Sequence, residues 1–310
     1  PPEPGTANPH PSQDAVMILT SLSCLFLLAA TPVQERAMKL PRQPRISPDG
    51  ETVAFTWRND LWTASSQGGA ARRITMHPGD DSSPYFSPDG QTIAFVSNRT
   101  GASQIHVMPV RGGEPRQVTH DSNRKSLLGF TADGQGLVVA QSTDRGWARA
   151  EGNRLFIVDA RDVPEGERRA KRMLFDAGFS EAALSPSGDK VLFTRGSAAW
   201  NRKGYKGAAA LQMWLADLSE YPAKLTRLDA DRPQFQNVSR MDPMWAPDGS
   251  GYYFVSDPDG VFDVYYENLD GTGLKRITQV AAEDRSDDGV AFASLSADGR
   301  KLIFRRRFDI

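Results

Sequence analysis

Trp200, Arg202, Lys203 and Tyr205 lie within one glycine-rich stretch, with Lys206 beside them, and this mixture of cations and rings can hold a carboxylate by charge-assisted hydrogen bonds. The same residues admit a plainer reading, in which Trp200 and Tyr205 pin the stretch to its own surroundings and the cations stay solvated. Elsewhere reactive chemistry is scarce. Of the 4 histidines, His10 lies near the start, His77 and His120 lie in polar loops, and His106 sits inside an apolar run. No partner in the sequence marks any of them as a general base, so all are read as surface or packed residues. No Gly-x-Ser-x-Gly elbow is present for acyl transfer. Asp80-Asp81 and Asp287-Asp288 are read as backbone-capping or solvated turns, because neither continues into the alternating ligand pattern of a calcium loop. The single cysteine, Cys24, excludes a cysteine zinc site and an internal disulfide framework. The expectation is no catalytic residue, no metal and no cofactor within these 310 residues.

The elements that position these residues are announced by a repeated turn. Ser87-Pro88-Asp89-Gly90 sets φ at its proline, bonds back to the backbone through its aspartate and accepts a positive φ at its glycine. It separates Tyr85-Phe86 from Thr92-Ile93-Ala94-Phe95-Val96, a β-branched and aromatic run of strand length. Related turns begin at Ser47, Thr131, Ser185, Ala246 and Ser296, so the six are spaced 40, 44, 54, 61 and 50 residues apart. Such periods, with four strands each, predict the blades of a β-propeller.

The second repeat supplies the template for the rest. After its hairpin come Gln104–Pro109, a Gly112-Gly113 turn and Arg116-Gln117-Val118-Thr119, and the first and fifth repeats match at corresponding offsets. The fold expected is all-β, a six-bladed propeller of four-stranded antiparallel blades over residues 40–310, with blades starting near 40, 80, 122, 178, 238 and 287. The last blade is expected to be truncated, because two of its four strands precede Ile310. An extended chain should then be more soluble and more stable, since a half blade exposes strand edges. Insertions stretch the third and fourth blades, the longest being Arg195–Ala210, and such insertions map to one face of a repeat fold. Trp57, Trp62, Trp214, Trp245, Tyr252 and Phe254 fall on strands, which predicts packing between blades.

Residues 1–37 read as a disordered leader followed by a candidate signal peptide with an apolar core at Ile18–Ala30, although no cation lies between Met17 and that core. This predicts a periplasmic or secreted protein, with a cytoplasmic one as the alternative. Cys24 is read as unremarkable, being placed mid-core rather than in a lipid-attachment box. The apolar core is too short to span a bilayer. A charge balance of 37 Lys+Arg to 38 Asp+Glu gives a net charge of −1, which excludes the basic surface that nucleic-acid binding needs.

With that template, the repeats resemble TolB-like, W-D-type propeller repeats. The stretch from Arg195-Gly196 through Trp200–Gly207 to Met213-Trp214, with Pro243–Gly249 and Tyr253–Asp257, resembles the propeller of the tricorn protease family. The resemblance implies an N-terminal propeller that filters or docks oligopeptides or unfolded polypeptide for PDZ-like and serine peptidase domains of its own chain, which lie outside these residues, and it leaves room for a homo-oligomer. It carries no catalytic residue onto this sequence. On that reading Trp200, Arg202, Lys203 and Tyr205 form the lip that holds a peptide carboxylate. Two rivals remain: a stand-alone TolB-like protein-binding scaffold without catalysis, and the propeller of a prolyl-oligopeptidase-like enzyme.

Overall fold

The computed structural model describes residues 39–142, 153–162, 169–199, 202–230, 232–280, 289–307 and 309–310. The leader, Cys24, Trp200, the Asp287-Asp288 pair and much of the third-blade insertion lie outside the described residues. Five antiparallel sheets carry four strands each in sequential order. They are β1 (Arg42–Ile46), β2 (Thr52–Trp57), β3 (Asp60–Ser65) and β4 (Arg72–Arg73); then β5 (Asp81–Phe86), β6 (Thr92–Ser97), β7 (Gln104–Pro109) and β8 (Arg116–Gln117). The third is β9 (Lys125–Phe130), β10 (Gly136–Ser142), β11 (Asn153–Asp159) and β12 (Lys171–Phe175). The fourth is β13 (Ala182–Leu184), β14 (Lys190–Arg195), β15 (Gln212–Asp217) and β16 (Lys224–Arg227), and the fifth is β17 (Arg240–Trp245), β18 (Gly251–Ser256), β19 (Asp263–Asn268) and β20 (Lys275–Arg276). A further sheet pairs β21 (Ala291–Leu295) with β22 (Leu302–Arg305). The first strands pack in a ring, β1 on β5, β5 on β9, β9 on β13, β13 on β17, β17 on β21 and β21 back on β1. This is a propeller with five complete blades, where the sequence predicts six sheets of which the last is partial. Among the described residues no helix is long and apolar enough to cross a membrane.

All six predicted turns close through a bond from the glycine amide to the first residue's carbonyl, and the turns at Ser47, Ser87, Thr131 and Ser296 add a hydroxyl-to-aspartate bond. In the second blade Gly90 N donates to Ser87 O at 2.9 Å, Ser87 Oγ to Asp89 Oδ1 at 2.5 Å, and Thr92 N to Ser87 Oγ at 2.9 Å. The serine hydroxyl holds Asp89 below the usual carboxylate range. The turn glycine is also an inter-blade contact. A Cβ on Gly299 would stand 3.1 Å from the Pro247 ring of the preceding blade, at a φ of +72° that favours glycine in any case.

A second device ties the third strand to the fourth. Asp60 and Asp263 each open a third strand, accept from Arg73 and Arg276, and receive the hydroxyl of Thr75 or Thr278. In the second blade the pair is neutral, with Thr119 Oγ1 donating to Gln104 Oε1 at 2.7 Å. The core lies between blades rather than within them, as five apolar clusters that each join neighbouring sheets. Ala54, Leu61 and Ile74 of the first blade pack on Ile93, Phe95 and Met108 of the second, and Leu192 and Met213 of the fourth on Tyr252, Phe254 and Tyr265 of the fifth. Burying one such large side chain contributes about 1.5–3 kcal/mol.

Two expectations need correction. Trp57, at the end of β2, and Trp62, on β3, are partly buried and pack edge-to-face on one another, with centroids 5.1 Å apart, and neither joins the cluster between the first and second blades. Asp81 is neither solvated nor a cap. It is fully buried at the start of β5, where both carboxylate oxygens accept from Arg99 Nη2 at 3.0 and 2.9 Å.

Candidate functional site

The innermost strands do more than line the axis. Four residues before each turn, β1, β5, β17 and β21 carry a bulge whose residue enters the left-handed region: Gln43, Ser83, Asp242 and Phe292, with φ of 52, 54, 48 and 54°. A bulge re-aims the local side chain and amide, and here it sends both toward the neighbouring blade. Gln43 Oε1 accepts from Ser83 N at 3.0 Å, joining the first blade to the second. Glu181, at the same place before the fourth turn, accepts from Asp242 N through Oε2 at 2.9 Å. Asp242 Oδ2 in turn accepts from Phe292 N at 3.1 Å. Between the two-stranded sheet and the first blade, Ile46 N donates to Ser294 Oγ at 3.3 Å.

Glu181, Asp242, Ile46 and Ser294 border a cavity of about 520 Å³ along the ring of first strands, whose lining also includes Arg45, Tyr85 and Trp245. A smaller void of about 130 Å³ on the other side of Glu181 and Asp242 is bordered by Phe262, Arg305 and Arg307. Arg45 lies 4.4 Å over the Tyr85 ring and donates to Tyr85 Oη at 2.6 Å. Enclosure by protein, and then the Asp242 carboxylate, push Glu181 up to about 8. Asp242 is raised as well, by enclosure, with Arg45 pulling the other way. The cavity walls offer a carboxyl pair and a guanidinium to whatever enters.

The fourth-blade insertion bridges to the fifth blade. Gly204 N donates to Asp257 Oδ2, Gly207 N donates to Asn237 O at 2.9 Å, and Lys206 pairs with Val238. Tyr205 Oη accepts from Ala209 N at 3.2 Å, and Arg202 lies 4.2 Å over the Tyr205 ring. Arg202 and Lys206 are exposed, Lys203 and Tyr205 partly buried. The structure therefore brings Arg202 and Tyr205 together, as a pin for the insertion with a cation on its outer side. Arg202, Lys203 and Tyr205 do not border the axial cavity. Asp257, raised by burial, faces Lys206 and Lys203.

Sequence reasoning missed Arg45, Glu181 and Asp242. A signal was available: Gln43-Pro44, Ser83-Pro84 and Asp242-Pro243 repeat a polar residue before proline, four residues ahead of the turn. Among the described residues no group of three or more His, Cys, Asp or Glu side chains could hold a metal ion.

Comparison with known proteins agrees with this architecture. The chain is 31% identical over 267 residues to Tricorn protease homolog 1 of Streptomyces coelicolor, covering 83% of this chain and 22% of that protein. It is 26% identical over 268 residues to the Tricorn protease homolog of Saccharolobus solfataricus, covering 84% and 22%. It thus spans about a fifth of the length of these relatives. Among solved structures, the tricorn protease superposes with a TM-score of 0.64 at 22% identity, over 87% of this chain and 24% of that one. A TolB structure from Agrobacterium tumefaciens gives 0.63 at 19% identity, over 87% and 90%. Residues 38–310 match the family described as the tricorn protease N-terminal beta propeller domain, and the chain belongs to that family.

Proposed function

We propose that this propeller is the substrate-filtering or docking portion of an exported, tricorn-like serine peptidase whose catalytic residues lie outside these 310 residues. The observation that carries the reading is the family match over residues 38–310, together with an axial cavity bordered by the first strands of the blades. Stiff blades packed radially leave a passage that suits an extended chain and excludes a folded one. On this reading the two-stranded sheet is the inner half of a sixth blade, oligopeptides or unfolded polypeptide are the ligands, and PDZ-like and peptidase domains are the partners, with a homo-oligomer as the working assembly. Export rests on the apolar run at Ile18–Ala30. Trp200, Arg202, Lys203 and Tyr205 then serve as a lip for a peptide carboxylate, supported by the outward position of Arg202.

The test uses the longer protein. Hydrolysis of a labelled oligopeptide series is compared between the parent, a propeller-deleted form and the Arg202→Ala/Lys203→Ala variant. The reading expects loss of discrimination between extended peptides and folded proteins on deletion, and a raised KM for peptides with a free carboxylate in the double variant. Unchanged discrimination on deletion overturns the filter, and unchanged KM overturns the lip. A second reading, a stand-alone TolB-like scaffold, is favoured by the 90% coverage of the Agrobacterium structure. A stop codon shortly after the sixth sheet closes would select it, and a downstream peptidase domain would remove it.

A further inference from the structure

The seams of the inner ring are built alike but not from the same chemistry. Gln43 joins the first and second blades through an amide oxygen that does not titrate over the accessible pH range. The seam between the fourth and fifth blades uses Glu181, and the atom that donates to it belongs to Asp242, itself an acid. Asp242 Oδ2 accepts in turn from Phe292 N of the next sheet, while its carboxylate stays near enough to act on Glu181. We propose that Glu181 and Asp242 form a proton-operated clasp between the fourth and fifth blades, closed while the pair retains a proton and loosened when it is lost.

The surroundings argue for a clasp. Two ionised carboxylates close together repel, and among the described residues neither forms an ion pair. The groups facing the pair are few. Thr194 Oγ1, from β14, points to Glu181 at 3.5 Å, Arg45 of β1 acts on Asp242 at longer range, and Arg305 and Arg307 border the smaller void. Both carboxyl residues border both cavities, so separation of the seam at this point would merge the 520 and 130 Å³ spaces and widen the axial passage. The insertion crosses the same seam elsewhere, through Gly204 to Asp257 and Gly207 to Asn237, and would keep the two blades tethered while the inner edge loosens. Enclosure and the neighbouring Asp242 carboxylate push Glu181 up to about 8, which sets the pH range of the test.

The test is amide hydrogen exchange from pH 5 to 9, corrected for the intrinsic pH dependence, on the wild-type chain, Glu181→Gln and Asp242→Asn. In the wild type, protection of the segments bearing Asp242 and Phe292 should fall as pH rises toward and beyond 8, by up to about tenfold per unit, while the segment bearing Ser83 stays constant. Glu181→Gln keeps an acceptor oxygen and should abolish the dependence; Asp242→Asn should weaken it and covers the case in which the first variant fails to fold. A pH-independent seam in the wild type overturns the proposal. So does an unchanged dependence in either folded variant, or a parallel loss of protection at Ser83, which would mean global unfolding.

Discussion

Ile74 and Ile277 hold the same place in two blades, each directly after the arginine that pairs with the opening aspartate of the third strand, yet Ile74 is 8% exposed and Ile277 44%. Ile74 is covered by the second blade, where Ile93, Phe95 and Met108 lie against it. Ile277 lies at the end of the fifth blade, which is followed by the two-stranded sheet of β21 and β22, and it joins none of the apolar clusters among the described residues.

Truncating the two isoleucines should therefore have unequal effects. Ile74→Ala removes packed methyl groups and leaves a cavity, an expected cost of about 2–5 kcal/mol, whereas Ile277→Ala in the same chain should cost well under about 1 kcal/mol. In a chain extended through a completed sixth blade the Ile277 cost should rise toward that of Ile74. Chemical denaturation of the two parent chains and the three variants decides it, and equal costs for Ile277 in both lengths would remove the argument for a sixth four-stranded blade.

Lys301 adds a side-chain link to the junction between the two-stranded sheet and the first blade. Its Nζ donates to Gly50 O at 2.8 Å, to Glu51 Oε1 at 2.8 Å and to Ser66 Oγ at 3.3 Å. The Glu51 partner is largely exposed and contributes little, so the bond to the turn carbonyl matters most. Lys301→Met, which keeps the stem lying beside Gly50, should lower stability by about 1–2 kcal/mol and leave the loss nearly insensitive to salt. A loss that vanishes in 1 M salt would mean that the surface ion pair, not the seam bond, was at work.

Much of this architecture was legible from the turns. The Ser-Pro-Asp-Gly motif carries its own hydrogen-bond chemistry locally, so its positions marked the hairpins, and Asp60, Gln104 and Asp263 opened third strands where the template placed them. The axial residues were not legible because their partners lie 40 to 61 residues away, as with Gln43 to Ser83 and Glu181 to Asp242, and a polar residue before proline carries no hint of that distance. Arg45 was hidden for the same reason, its contact with Tyr85 crossing from one blade to the next. The aromatic loop gave the opposite problem: its composition suggested a site, and its nearest contacts are structural.

Arg240 supplies a further test, since an unexposed guanidinium is costly unless paired. It donates to Glu267 Oε2 at 2.6 Å and to Tyr252 Oη at 3.0 Å, and lies 3.9 Å over the Phe254 ring, while Arg232 Nε reaches Glu267 Oε1 at 2.8 Å. Glu267→Gln should cost about 3–5 kcal/mol by stranding that charge, and the apolar pair Arg240→Met/Glu267→Leu should recover most of it. Thermal and denaturant unfolding of the single and double variants measures the coupling; additive losses would mean that the pair does not act as a unit.

His106 provides the acid limb of the stability curve. It lies on β7, 1% exposed and stacked on Phe95 at 5.7 Å, and burial, then Arg99, hold it below the ordinary histidine value. Between its folded value and about 6.5 the unfolded chain binds the proton more readily than the native state, so stability falls as pH drops through that window. Against His106→Gln, which stays neutral, the wild type should lose up to about 1.4 kcal/mol per unit below pH 6.5, and the two should run parallel above pH 7.5. Taking the difference between the two proteins cancels the opposite slope from Glu181, whose raised value makes stability decline as pH rises toward 8. A difference curve flat from pH 5 to 7 would show that the histidine takes its proton in the folded state as easily as in the unfolded one, and that the stacked ring is open to water.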